Sequence, residues 1–182
     1  GAPKGYSSIK MYRHMCGPSL VHPIFKQIWH TNCRLRHKIF GWLLLHDRIN
    51  TRNMLLRRNM DLPDSICALC SDNVEETLLH LFWNCPFALS CWDFIAPGRT
   101  IGISTFDEIV LISTRLPKDL ALDIIIMSCW SIWSVRNDKI FRSAPPAIDS
   151  WKFHLSEGLW AVQLRAKEDK ANKIKEWTEL NL

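Results

Sequence analysis

No acidic residue occurs before Asp47. Residues 1–70 carry 11 Lys/Arg against 3 Asp/Glu, whereas residues 71–182 carry 12 against 15. The formal charge of +5 therefore divides into a basic first part of +8 and an acidic remainder of −3. A basic half of this kind attracts phosphates, and a merely solvated basic face is the alternative. Long apolar runs are missing too. A bilayer-spanning helix needs about 20 apolar residues. The longest uncharged apolar run, Ile124 to Val135, is interrupted by Ser128, Ser131 and Ser134, which predicts a buried helix and no membrane span. Tandem repeats and low-complexity tracts are absent, and strand-like alternation is scarce. No Ser/His/Asp or Cys/His arrangement stands out, so isolated histidines such as His46 and His154 read as structural and no enzyme is expected.

What is present is hydrophobic mass and helical punctuation. Hydrophobic residues make up 47% of 182 positions, and nine are Trp. That is enough for a core in one large domain, or in one domain with a helical extension. Ile24 with Ile28, and Phe25 with Trp29, have helical spacing. From Arg34 to Arg48, Leu35, Ile39, Trp42, Leu43 and His46 form one apolar stripe, with Arg34, His37, Lys38 and Gly41 toward another face. Thr51 is the expected cap of a short helix through Met54, Leu55 and Arg58. Asp72 and Glu75 have capping-box spacing ahead of a helix through Trp83. Pro86, Ser104 and Pro117 mark three further helix starts, and Pro145-Pro146 is a break. Ile148, Trp151, Leu155, Leu159 and Val162 then repeat at i/i+3/i+4, with Gly158 costing that helix about 1 kcal/mol relative to Ala. Beyond Arg165 the balanced charges predict an exposed, ion-paired helix end.

Cys67, Cys70, His80 and Cys85 carry the most specific signal, Cys-x2-Cys-x9-His-x4-Cys. Three thiols and an imidazole are a tetrahedral Zn2+ set, and four protein ligands leave no open position for catalytic water. One structural zinc is therefore expected. Cys91 is a poorer ligand because it sits mid-helix beside Trp92. Cys85 directly precedes Pro86, so the next helix's free N–H groups lie near its sulfur. Glu75 and Glu76 are the candidates to hold the second ring nitrogen of His80. Cys16, Cys33, Cys91 and Cys129 remain as core thiols. The odd total of seven Cys with a Cys-x2-Cys pair argues for a reducing compartment, nucleus or cytoplasm. Ser7, Ser8, Lys10 and Arg13 also fit a mitochondrial presequence, the less favoured reading.

The words around the ligands are distinctive: HKIFGWLLLHDRINTRNMLLRRNM, then CALC, then VEETLLHLFWNCPFALSCW, with the lead-in YSSIKMYRHM. Together they resemble the reverse-transcriptase zinc-binding domain of plant non-LTR (LINE-type) retroelements. SCWSIWSVRNDKIF resembles the Trp-rich helix that commonly follows, so the likeness spans roughly residues 6–141. The resemblance implies the same four zinc ligands and descent from a retroelement. It does not imply polymerase activity, because no Tyr-x-Asp-Asp motif and no strand-borne set of carboxylates for two-metal phosphoryl transfer is present.

The expected fold is mainly α, an irregular multi-helix bundle stapled by one Cys-Cys-His-Cys zinc site, with Trp-rich C-terminal helices. Residues 1–97 are the expected basic zinc-binding domain, and 98–182 a helical segment packed on it. Two partners follow. RNA or DNA would be bound with little sequence selectivity through Arg34, Lys38, Arg52, Arg57 and Arg58, with Trp29 or Trp83 stacking on bases. The alternative is a domesticated protein-interaction module using Trp130, Trp133, Trp151 and Trp160.

Overall fold

In the computed structural model, which describes residues 22–182, Thr51, Pro86 and Ser104 start helices as expected. Helix α1 is Ile24–His30, α2 is Leu35–Leu45 and α3 is Arg52–Arg57. Thr51 caps α3 by accepting the Met54 N–H at 3.4 Å. Helix α4 (Pro86–Ile95) has its proline in the first turn, where no N–H is missed. Helix α5 (Thr105–Ser113) is capped by Ser104, whose hydroxyl accepts the Asp107 N–H at 3.2 Å. Helix α6 spans Ala121–Arg142 and stops at Ser143, whose φ of 55° lets the Ala144 N–H reach back to the Asp138 carbonyl. After Pro145-Pro146 come α7 (Ile148–Gln163) and α8 (Glu168–Asn181). The expected mainly α fold is the observed one. Among the described residues the extended structure is an isolated antiparallel bridge between Ile66 and Glu75. No helix there is long and apolar enough to cross a membrane. The lead-in Tyr6–Met15, with Ser7, Ser8, Lys10 and Arg13, and also Cys16, lies outside the described residues.

Helix α6 is the axis of the molecule. Ile124, Ile125, Met127, Cys129 and Ile132 are buried on several sides of it, because α2, α5 and α7 all pack against it. The short connection makes α7 its neighbour, and α8 then packs on α7 through Ile174 and Trp177. Gly158 allows the close approach of α6 and α7: the methyl of Met127 lies where a Cβ would stand, at 2.0 Å. One cluster of buried apolar side chains runs from Ile24 to Trp177. Buried polar ties cross it. Asp123 of α6 accepts the Asn32 N–H at 2.8 Å and the Lys170 ammonium at 2.6 Å, joining the α1–α2 corner to α8.

Three expectations about local structure change. The buried face of α2 is His37, Phe40, Gly41, Leu44 and Leu45, while Leu35, Ile39 and Trp42 of the expected stripe are exposed. Both faces of α2 carry apolar residues, and Gly41 decides between them by admitting Ile126 to within 3.2 Å of its absent Cβ. The Asp72–Glu75 capping box does not open a helix. Residues 65–76 form a hairpin-like knuckle instead, with the Cys67 N–H on the Val74 carbonyl and the Glu76 N–H on the Ser65 carbonyl. Helix begins only at Leu78, where Thr77 accepts the His80 N–H at 3.1 Å. The charged C-terminal stretch is a separate helix docked by Ile174 and Trp177, rather than an exposed continuation of α7.

Candidate metal centre

Two local devices bring the four ligands together. The first is the knuckle, which turns Cys67 and Cys70 back toward the chain that follows. The second is a wide π-helical turn at His80–Asn84, closed by the Cys85 N–H on the His80 carbonyl at 2.7 Å. This i→i+5 turn lets an x4 spacing point His80 and Cys85 at one place. Cys85 is also the N-cap residue of α4, as the position of Pro86 predicts.

The donor atoms of Cys67, Cys70, His80 and Cys85 all lie within 4.8 Å of one another. Cys67 Sγ is 3.9 Å from Cys85 Sγ, and Cys70 Sγ is 3.4 Å from His80 Nε2. Zinc–sulfur bonds of ~2.3 Å and zinc–nitrogen bonds of ~2.05 Å give tetrahedral edges of about 3.8 and 3.6 Å. The Cys67–Cys85 and Cys70–His80 edges lie close to these values, so the set fits one four-coordinate zinc held by three thiolates and His80 Nε2. Burial pushes the His80 pKa down, which keeps the ring in the neutral, ligating form. Without metal, the neighbouring Cys85 thiol and then burial push the Cys67 thiol up, and burial does the same to Cys70. The protein holds these thiols together against their own ionisation, and metal binding must expel their protons.

Neither glutamate expected beside His80 takes that place. Glu75 accepts the Asn53 side-chain amide at 2.6 Å. Glu76 is fully buried and organises the back of the knuckle. It accepts the Arg52 N–H at 2.9 Å, the Ala68 N–H between the first two ligands at 3.4 Å, and Arg136 through Nη2 at 2.6 Å and Nε at 3.2 Å. Arg136 comes from α6, and Trp133 covers its guanidinium at 4.7 Å. This buried ion pair connects the metal loop to the central helix. Its partners stand 60 residues apart, and no short-range pattern announces it. A second buried pair, Arg99 with Glu108, ties α5 to the π turn through Arg99 Nη2 on the Trp83 carbonyl at 2.7 Å.

The other expected site residues are dispersed. Arg34 and Lys38 lie one turn apart on the exposed side of α2, and Lys38 donates to the Trp29 carbonyl at 2.9 Å. Arg57 and Arg58 sit at the far end, by the loop that leaves α2; Arg57 is 3.9 Å from Asp47 and Arg58 donates to Asn50. Arg52 leaves the phosphate-binding set, because its guanidinium is engaged by Asp64 and the Ile66 carbonyl. Trp83 is fully buried, stacked at 5.1 Å on Trp92, and cannot stack on a base; Trp29 is 45% exposed. Trp151 is likewise fully buried against α6, donating to the Ser128 carbonyl, and is removed from the partner surface. Trp130 and Trp133 are half-buried, and Trp160 is exposed. Cys33, Cys91 and Cys129 are buried core thiols, as expected.

Comparison with known proteins agrees with this geometry. Residues 6–92 match the model of the family described as zinc-binding in reverse transcriptase. A protein of Arabidopsis thaliana named as a ribonuclease H protein is 29% identical over 75 residues, which are 41% of this chain and 12% of that protein. The chain thus spans about an eighth of that relative's length. No solved structure matches.

Proposed function

We propose that this is a non-catalytic nucleic-acid-binding module of retroelement descent, whose zinc shapes the fold and whose basic helices meet the phosphates. The observation that supports it best is the set of exposed basic side chains Arg34, Arg57 and Arg58, with Trp29 45% exposed on α1. Exposed cations meet phosphates, and an exposed indole stacks on the bases of a single strand. Arg34 lies one turn before Lys38, while Arg57 and Arg58 stand at the other end of α2, about 16 Å along its axis. The sequence carries no base-reading motif, so selectivity for sequence is weak.

Fluorescence anisotropy with short single-stranded RNA and DNA, repeated across salt concentrations, tests the reading. Affinity should fall steeply with salt and drop further in Arg57→Glu/Arg58→Glu. A Kd weaker than about 100 µM at physiological salt, no better than general non-specific binding, would reject it. A protein partner is the second reading, favoured by the exposed apolar side of α2 at Leu35, Ile39 and Trp42. Retention of a partner by Ile39→Asp/Trp42→Ala counts against that surface.

A further inference from the structure

The two ligands that follow the knuckle, His80 and Cys85, stand five residues apart. On a regular α-helix five residues turn through about 500°, which leaves two such side chains about 140° apart around the axis and about 7.5 Å apart along it. The π turn removes that separation. Its closing bond, the Cys85 N–H on the His80 carbonyl at 2.7 Å, joins the backbones of the two ligands themselves. The register of this one turn therefore decides whether both side chains reach one ion.

A π turn is the rarer choice of the backbone, so something must hold it. The carbonyls at a helix end have no partner within the helix, and Pro86, next in line, brings no N–H. Phe82 and Trp83 are fully buried, so their carbonyls need partners from the protein. Both partners are side chains from further along the chain. Trp92 Nε1 donates to the Phe82 carbonyl at 2.7 Å, and Arg99 Nη2 donates to the Trp83 carbonyl at 2.7 Å.

Arg99 is itself held in place. Its Nη1 pairs with Glu108 of α5, and the two side chains are 2% and 0% exposed. Glu108 also accepts the Gly102 N–H at 2.9 Å, and Arg115 donates to the Gly98 carbonyl at 3.0 Å. The loop is thus fixed on both sides of Arg99, and α5 packs on the central helix. Arg99 and Glu108 lie beyond residues 6–92, the stretch that matches the zinc-binding family.

We infer that Arg99 is a positioning residue of the metal centre: by holding the Trp83 carbonyl it fixes the π register that carries His80 and Cys85 to one ion. The metal centre then depends on the loop between α4 and α5, outside the segment that bears the ligands. This role is independent of what the protein binds.

Cobalt(II) in place of zinc tests it, because its visible absorption follows the geometry of its ligands. Zinc affinity is read beside it, by competition with a chromophoric chelator. Glu108→Gln weakens the anchor of Arg99 but leaves its donor on Trp83. Arg99→Met/Glu108→Gln removes the donor without stranding a buried carboxylate. Both should melt below the parent, so melting does not discriminate between them. At saturating metal, Glu108→Gln should keep the parent's cobalt spectrum. The double variant should change that spectrum and bind zinc about ten- to a hundredfold more weakly than Glu108→Gln. Arg99→Lys keeps a cation for Glu108 but lacks the second nitrogen of the fork, and should show the same spectral change. If the double variant does not fold, Arg99→Lys decides alone. A cobalt spectrum superimposable on the parent's, or a zinc affinity equal to that of Glu108→Gln, would overturn the role and leave Arg99 as a contact of the fold.

Discussion

Replacing Arg136 by Met removes the one side-chain cation on buried Glu76 among the described residues. Their side chains are 4% and 0% exposed, with the closest approach at 2.6 Å. Removing one member of such a pair leaves an uncompensated charge and costs about 3–5 kcal/mol. Two backbone donors, from Arg52 and Ala68, remain on the carboxylate, which moves the expected cost toward the lower end, about 3 kcal/mol. Against a typical total stability of about 5–15 kcal/mol this is a large fraction. With a urea m-value of ~2 kcal/mol/M, the midpoint should fall by about 1.5 M in saturating zinc. The double variant Glu76→Gln/Arg136→Met should recover much of the loss, because it no longer buries a charge. Glu76 also holds the Ala68 N–H between two ligands, so zinc affinity of Arg136→Met should drop about tenfold or more. A midpoint shift below about 0.5 M, or a double variant no better than the single one, would refute the argument that this pair joins the metal loop to α6.

Other outcomes follow from the same contacts. Cys67→Ser or Cys85→Ser should lose bound zinc and loosen residues 60–95, seen as faster amide hydrogen exchange there; unchanged metal content and melting temperature would contradict the site. His37 has a folded pKa of about 4 against an ordinary 6.5, so the unfolded chain binds the proton first on acidification. Its contribution to stability is intact above pH 6.5, is lost as the pH falls toward 4, and amounts to no more than about 3–4 kcal/mol. The slope of stability against pH in this window should therefore be shallower in His37→Phe than in the parent, and equal slopes would contradict it. Gly102→Ala should destabilise by about 1–3 kcal/mol, because its Cβ would stand 2.8 Å from the Glu108 backbone nitrogen. A thermal melt of that variant within a degree of the parent would show that the loop yields freely.

The metal ligands were legible because the spacing is local: 18 residues separate Cys67 from Cys85, and residue type and interval determine how they can converge. The helices α3, α4 and α5 were legible for the same reason, through Thr51, Pro86 and Ser104. Periodicity could not choose the inner face of α2, since Phe40, Leu44 and Leu45 compete with Leu35, Ile39 and Trp42, and the decision lies with Ile126 far along the chain. The capping signal at Asp72 lost to the nearby Ile66–Glu75 bridge that closes the knuckle. Trp151 looked available as a surface anchor until α6 covered it. Glu76 looked like a partner for His80, yet its carboxylate belongs to Arg136. Apart from the knuckle, the missing information in each case was a contact between segments distant in sequence.

The central claim is a closed, structural zinc that staples the knuckle to the π turn. Zinc K-edge X-ray absorption on the purified protein tests it most directly. The predicted result is one zinc per chain with three sulfurs at ~2.3 Å and one imidazole nitrogen at ~2.0–2.1 Å, without an exchangeable oxygen ligand. Substoichiometric zinc, or a first shell containing water or carboxylate oxygen, would contradict it.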